Sequence, residues 1–125
     1  MTTDARKSTV VWFEIPVTDL GRATAFYESI FDTKLIADAR FPTMTIFPYE
    51  RPGVSGCLMS NGLKPSTDGS LVYLNCDGKL DSVLERAAAA GTQILEGKNA
   101  LPENMGWVAQ IADLDGNRVG LHAAW

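Results

Sequence analysis

The stretch Val11-Trp12-Phe13-Glu14-Ile15-Pro16-Val17-Thr18-Asp19-Leu20 decides how this chain is read. Its first half is rich in β-branched and aromatic residues, so Thr9 to Pro16 reads as a strand. Pro16 removes a backbone donor and suits the strand's end. Asp19 then stands where a helix N-cap belongs. Leu20, Ala23, Phe26, Tyr27, Ile30 and Phe31 follow at helical spacing and predict one buried stripe on a helix from Leu20 to about Phe31.

A weaker copy of this plan begins at Leu71, as LVYLNCDGKLDS. Ser70 to Cys76 reads as a strand. Asp77 is the expected cap of a helix whose apolar face is Leu80, Val83, Leu84, Ala87 and Ala88, closed by Gly91. The helix-to-strand junctions Asp32-Thr33-Lys34-Leu35 and Gly91-Thr92-Gln93-Ile94 correspond at an offset of about 59 residues, which is a repeat signal.

Between these landmarks the first half predicts short strands at Lys34–Ala37, Thr43–Phe47 and Val54–Ser60, with a Pro52-Gly53 turn before the last. The second half predicts strands at Thr92–Leu95, Met105–Ala112 and Arg118 to about Ala123, with a loop over 97–104 and a turn at Asp115-Gly116. The order is therefore βαβββ twice, an α+β pattern. We read residues 1–125 as a single domain: a polar tail at 1–8, module one over about 9–60, a Gly/Pro/Ser-rich linker at 61–69 and module two over about 70–125.

Composition limits the function. The chain has 125 residues, 46% hydrophobic and 21% charged, which suits a packed core and not disorder. The net charge is −4 and no Lys/Arg run exists, so a nucleic-acid partner is not expected. No apolar run approaches the roughly 20 residues of a membrane span, and the first nine residues carry no signal-peptide core. Cys57 and Cys76 are not spaced as a metal pair. Without a secretion signal they read as free, buried thiols, and the expected location is the cytoplasm. An acidic chain would suit a cationic or amine-bearing ligand. No G-x-S-x-G elbow, phosphate-cradling loop or H-E-x-x-H motif is present.

FEIPVTDLGRATAFYESIF, carrying Val17, Asp19, Leu20, Arg22, Ala23, Phe26 and Tyr27, resembles the opening of vicinal oxygen chelate proteins, the glyoxalase, bleomycin-resistance and extradiol-dioxygenase superfamily. IADLDGNRVGLH resembles the hairpin near that family's C-terminus, with Leu114 where a proline is usual. The resemblance spans about Val10 to His122. It implies two βαβββ modules forming a curved mixed sheet around a cleft, commonly in a homodimer. In the family's metal-dependent enzymes it implies ligands near the start of each module's first strand and on each fourth strand, with the metal acting as a Lewis acid.

Those positions here hold Trp12, a Val54–Ser60 strand without His, Asp or Glu, Ser70 or Leu71, and Gly120. No metal site of the family's kind is expected, since three or more ligands are needed. A divalent metal rebuilt on Glu14 and His122 is the alternative. Strand alternation places Glu14 beyond Trp12, Tyr73 and Asn75 beyond Leu71, and His122 beyond Gly120, all facing inward. With Met59 and Trp107 they form a candidate apolar cleft with a few polar groups. Glu14, expected to be partly desolvated, and His122 are the candidate acid–base pair. Trp12, Met59, Tyr73, Asn75 and Trp107 are candidate ligand contacts. The functional expectation is a glyoxalase/bleomycin-resistance-like protein that binds a small organic molecule without a metal. The alternative is a lyase, isomerase or dioxygenase of the same superfamily.

Overall fold

The computed structural model describes residues 9–125. Its elements run β1 (Glu14–Pro16), α1 (Leu20–Phe31), β2 (Ile36–Ala37), β3 (Met44–Ile46), β4 (Cys57–Met59), β5 (Tyr73–Asn75), α2 (Leu80–Ala89), β6 (Ile94–Ala100), β7 (Trp107–Ala112) and β8 (Arg118–Ala123), with a 3-10 turn at Pro102–Asn104. The polar tail expected at 1–8 lies outside the described residues. The strands form two four-stranded mixed sheets, ordered β1-β4-β3-β2 and β5-β8-β7-β6. In each, the first strand runs parallel to the fourth, and the other neighbours are antiparallel. The fold is thus α+β, two βαβββ modules with open sheets, as the repeat predicted. β1 and β5 both end up on the edge of their sheet.

α1 forms where its stripe predicts. Asp19 Oδ1 accepts the Arg22 N–H at 3.0 Å, and Ala23, Phe26, Tyr27, Ile30 and Phe31 are buried. Burying a large apolar side chain stabilises by about 1.5–3 kcal/mol. At that order each large member of the stripe outweighs the cap, which contributes about 1 kcal/mol. Asp32 ends the helix in the left-handed region (φ 51°), and Gly91 repeats that geometry (φ 83°) after α2. The junctions that suggested the repeat are therefore alike in backbone as well as in sequence.

Three local expectations need correction. Asp77 does not cap α2: the helix begins at Leu80 with Lys79 as its N-cap, and Asp77 Oδ1 instead accepts the Ala124 N–H at 2.7 Å. The C-terminal backbone competes for that carboxylate and wins. Residues 97–100 are not loop, because β6 continues through Ala100 by pairing with β7 across two register shifts. A polar run with a glycine lacks strand periodicity, and the pairing supplies what propensity does not. Finally, β1 is only three residues long. Before it, Phe13 contributes one carbonyl to Cys57 N–H at 2.9 Å.

The modules are joined by side chains. The fully buried Tyr27 on α1 donates its hydroxyl to Asp113 Oδ2 at 2.6 Å. Asn117 Nδ2 donates to the same oxygen at 3.1 Å and to Pro16 O on the open edge of β1 at 2.8 Å. Thr18 Oγ1 donates to Asp115 Oδ1 at 2.7 Å. From module two, Lys79 Nζ donates to Phe31 O at 3.3 Å and Arg86 Nε to Ile30 O at 2.8 Å, both carbonyls left over at the end of α1. No described helix is long and apolar enough to cross a membrane.

Candidate ligand cavity and the helix-free sheet faces

Residues opposite one another in a ladder share a face of the sheet. In module two, Tyr73 pairs with Gly120, Asn75 with His122, His122 with Val108, and Gly120 with Gln110. The alternate positions Leu74, Leu121, Ala109 and Ile111 are buried in the core under the helices. Tyr73, Asn75 and His122 therefore share the helix-free face, as alternation predicted. On that face the Tyr73 ring lies against Gly120, where an added Cβ would fall 2.5 Å from Cδ1. Arg118 Nη1 donates to Gln110 Oε1 at 2.8 Å, and Gln110 Nε2 donates to the Tyr73 hydroxyl at 3.2 Å. His122 Nε2 is 2.8 Å from Met105 O. A carbonyl only accepts, so Nε2 carries the proton, and in the neutral ring the lone pair sits on Nδ1.

In module one, Glu14 pairs with Cys57 and Pro16 with Met59. Cys57 and Met59 are buried, and Thr43 Oγ1 donates to Met59 Sδ at 3.5 Å. Burial, with the Glu14 charge adding to it and the Trp12 indole N–H partly offsetting it, pushes the Cys57 thiol up to about 11. Trp12 thus sits beside Cys57 and Glu14, yet it lies outside any strand and is 36% exposed. Glu14 is exposed, not desolvated as expected. Its strand is at the sheet edge, so no further strand covers the carboxylate. The group shares a cavity of about 220 Å³ with the linker residues Lys64, Ser66 and Asp68 and with Arg118. His122 is not among the residues lining that cavity.

Trp107 leaves the proposed cluster. It pairs with Ala123, while Val108 pairs with His122, so the indole is on the opposite face from His122 and Tyr73. There it stacks under Lys98 Nζ at 5.2 Å and lines a cavity of about 390 Å³ with Trp125 and the start of α2. Membership of a strand does not fix a face. The register does, and the sequence does not print it.

A cavity of about 510 Å³ opens between β5 and the segment of module one that precedes β1. Phe13, Phe31, Phe47, Val72 and Leu74 supply apolar wall, and Tyr73, Asn75, Thr33, Ser55 and Lys79 supply polar groups. Phe13 and Phe47 pack with ring centroids 5.8 Å apart, and Phe47 stands edge-on to Tyr27 at 5.5 Å. Of the residues singled out by sequence, it gathers Tyr73 and Asn75. It adds Lys79 and Phe47, which sequence reasoning passed over. The signal for Phe47 was its place at the end of a predicted strand. Lys79 gave none, since a lysine at a helix start reads as solvated surface.

The paired βαβββ modules, with parallel outer pairs and open sheets, define a class of fold shared with glyoxalases. The profile of the Glyoxalase/Bleomycin resistance protein/Dioxygenase superfamily matches residues 9–121, and the chain belongs to that superfamily. Among solved structures it is similar to a glyoxalase/bleomycin resistance protein from Albidiferax ferrireducens T118 (TM-score 0.74, 17% identity, covering 93% of this chain and 98% of that one). It is also similar to the genomically encoded fosfomycin resistance protein of Listeria monocytogenes (0.67, 21%, 94% and 94%) and to a lactoylglutathione lyase from Agrobacterium tumefaciens (0.62, 17%, 95% and 96%). No curated protein matches the chain. A mutant of the Listeria protein is described in complex with Mn(II) and 1S,2S-dihydroxypropylphosphonic acid.

The residues here do not fit a metal site of the superfamily's kind. The ladder makes Cys57 the counterpart of Gly120, since each pairs with the first residue of its module's first strand. Cys57 is fully buried, and one thiol falls short of the three or more ligands that such a site needs. Gly120 has no side chain, and the Tyr73 ring fills the space beside it. Trp12 and Leu71 have no donor for a cation. Among the described residues no group of three or more His, Cys, Asp or Glu comes together.

Proposed function

We propose that this chain binds a small organic molecule in the cavity between β5 and the Phe13 and Phe47 rings of module one, and does so without the metal that the superfamily's enzymes use. The cavity itself carries the reading. Its volume of about 510 Å³ lies within the roughly 300–1,000 Å³ of small-ligand sites, and its mostly apolar wall with a few polar groups is their usual composition. The donor chemistry at Trp12, Cys57, Leu71 and Gly120 supports the metal-free part. Acid–base catalysis by Glu14 and His122 draws no comparable support, because Glu14 lines a cavity that His122 does not share.

The chain is further read as a homodimer, supported by the exposed apolar side chains of Val11, Trp12, Tyr49 and Val54 on one cavity rim; sedimentation velocity tests it. Two free, buried cysteines support a reducing compartment, the cytoplasm.

A thermal-shift screen of cationic drugs, keto-aldehydes, catechols and aromatic acids tests the ligand reading. Val54 lines the cavity and is 46% exposed, so Val54→Trp can obstruct the opening without disturbing the core. Ligand-induced shifts are expected in the native chain and lost in Val54→Trp. Shifts of equal size in both would place binding elsewhere.

A further inference from the structure

The small-molecule reading leaves the ligand's charge open, and the composition of the cavity wall decides it. We propose that the cavity takes an organic anion, a compact aromatic or branched carboxylate, with Lys79 as its counter-ion; this deepens the small-molecule reading and rests on it. The chain's net charge of −4 points to a cationic ligand, but the local groups point the other way. Among the described residues, Lys79 is the one charged residue lining the cavity, and neither Asp nor Glu lines it.

Lys79 Nζ sits 3.3 Å from Phe31 O and 5.4 Å from the centre of the Phe31 ring, which places the ammonium at the cavity wall. The contact with Phe31 O is the long, weak end of a hydrogen bond, and it engages one of three N–H donors. Among the described residues no carboxylate lies within salt-bridge distance of Lys79. An ammonium half-buried beside apolar rings with donors to spare is a site for an anion.

The neighbouring polar group has the same polarity. Asn75 Oδ1 already accepts the Asp77 N–H at 2.8 Å, so the NH₂ end of that amide is what it offers a ligand. The Ser55 hydroxyl donates to Phe47 O at 2.8 Å and is committed to the backbone. The apolar wall of Phe13, Phe47 and Val72 then holds the ligand's hydrocarbon body. A carboxylate on a short aromatic or branched body satisfies both halves of the cavity, and an amine on the same body would meet donors and a like charge.

The test is calorimetric titration of the full chain with 3-phenylpropanoate, its primary amide and 3-phenylpropylamine, on the native protein, Lys79→Met and Lys79→Arg. The acid is expected to bind about tenfold more tightly than the amide, the lower end of what a hydrogen bond to a charged group contributes. The amine should bind least. Lys79→Met is expected to erase the acid's preference while the amide's affinity holds, and Lys79→Arg to keep most of it. Equal binding of acid and amide, or a preference that survives Lys79→Met, overturns the anion assignment alone. Failure of all three compounds to bind either the native chain or Lys79→Arg overturns the small-molecule reading together with it.

Discussion

The ring of Tyr73 lies against the bare Cα of Gly120: a Cβ built on Gly120 would stand 2.5 Å from Cδ1 and 2.7 Å from Cε1 and Cγ of that ring. The two residues are ladder partners in the parallel pair β5–β8, so the contact is set by register and not by a flexible loop. In the superfamily's metal enzymes, the resemblance places a ligand at the position of Gly120. Here an aromatic ring occupies the neighbouring space. The contact predicts strong coupling. Gly120→Ala forces the ring off its seat and is expected to destabilise the fold by about 1–3 kcal/mol. In a Tyr73→Ala background the same change should cost a small fraction of that, as a double-mutant cycle in denaturant would read.

Tyr27, Asp113 and Asn117 form the second link on which the architecture depends. Tyr27→Phe is expected to cost about 1–3 kcal/mol, because the buried Asp113 Oδ2 loses the shorter of its two side-chain donors and the modules lose a cross-link. Burial raises the Asp113 carboxyl above its ordinary value, with the Tyr27 and Asn117 hydrogen bonds opposing it. The folded state therefore holds this proton to higher pH than the unfolded chain. The contribution of Asp113 is fully present below the ordinary carboxylate range and is lost as pH rises through the raised folded value. Asp113→Asn removes that dependence, so its deficit relative to the native chain should shrink as pH rises. Unfolding free energies from pH 4 upward check it; a deficit that grows with pH would contradict the assignment.

Cys57 and Cys76 are both fully buried, and desolvation pushes both thiols up to about 11. Thiolate is the reactive form. Both cysteines should resist an aromatic disulfide reagent in the native protein at pH 8 and react together once the chain is unfolded. Rapid labelling of Cys57 in the folded state would show that the helix-free face of module one opens.

Asp32 holds a left-handed backbone at the end of α1, a conformation that costs a non-glycine residue about 1 kcal/mol. Asp32→Gly, which copies Gly91 at the same place in module two, is expected to stabilise by up to about 1 kcal/mol and to raise the melting temperature.

Much of the fold was legible in the sequence, because its signals are local. The Asp19 cap, the Leu20–Phe31 stripe and the matched Asp32 and Gly91 junctions each need only a few adjacent residues to be read. What long-range pairing decides was not legible. Asp77 was claimed by Ala124, 47 residues away, and β6 was extended past Gly97 by β7. The site followed the same division. Tyr73, Asn75 and His122 were assigned to one face correctly, since alternation within a strand is local. Trp107 was assigned to that face without a register and lies on the other. Lys79 and Phe47 line one cavity only because the two modules pack against each other, which no window of sequence encodes.

The most direct test of the ligand cavity is amide chemical-shift mapping of the full chain titrated with 3-phenylpropanoate. Saturable shifts at Phe13, Phe47, Val72, Leu74 and Asn75, converging on the cavity beside β5, are the result this account predicts. Shifts confined to Trp107, Trp125 and Lys98, or to Glu14 and Arg118 under the linker, would contradict it.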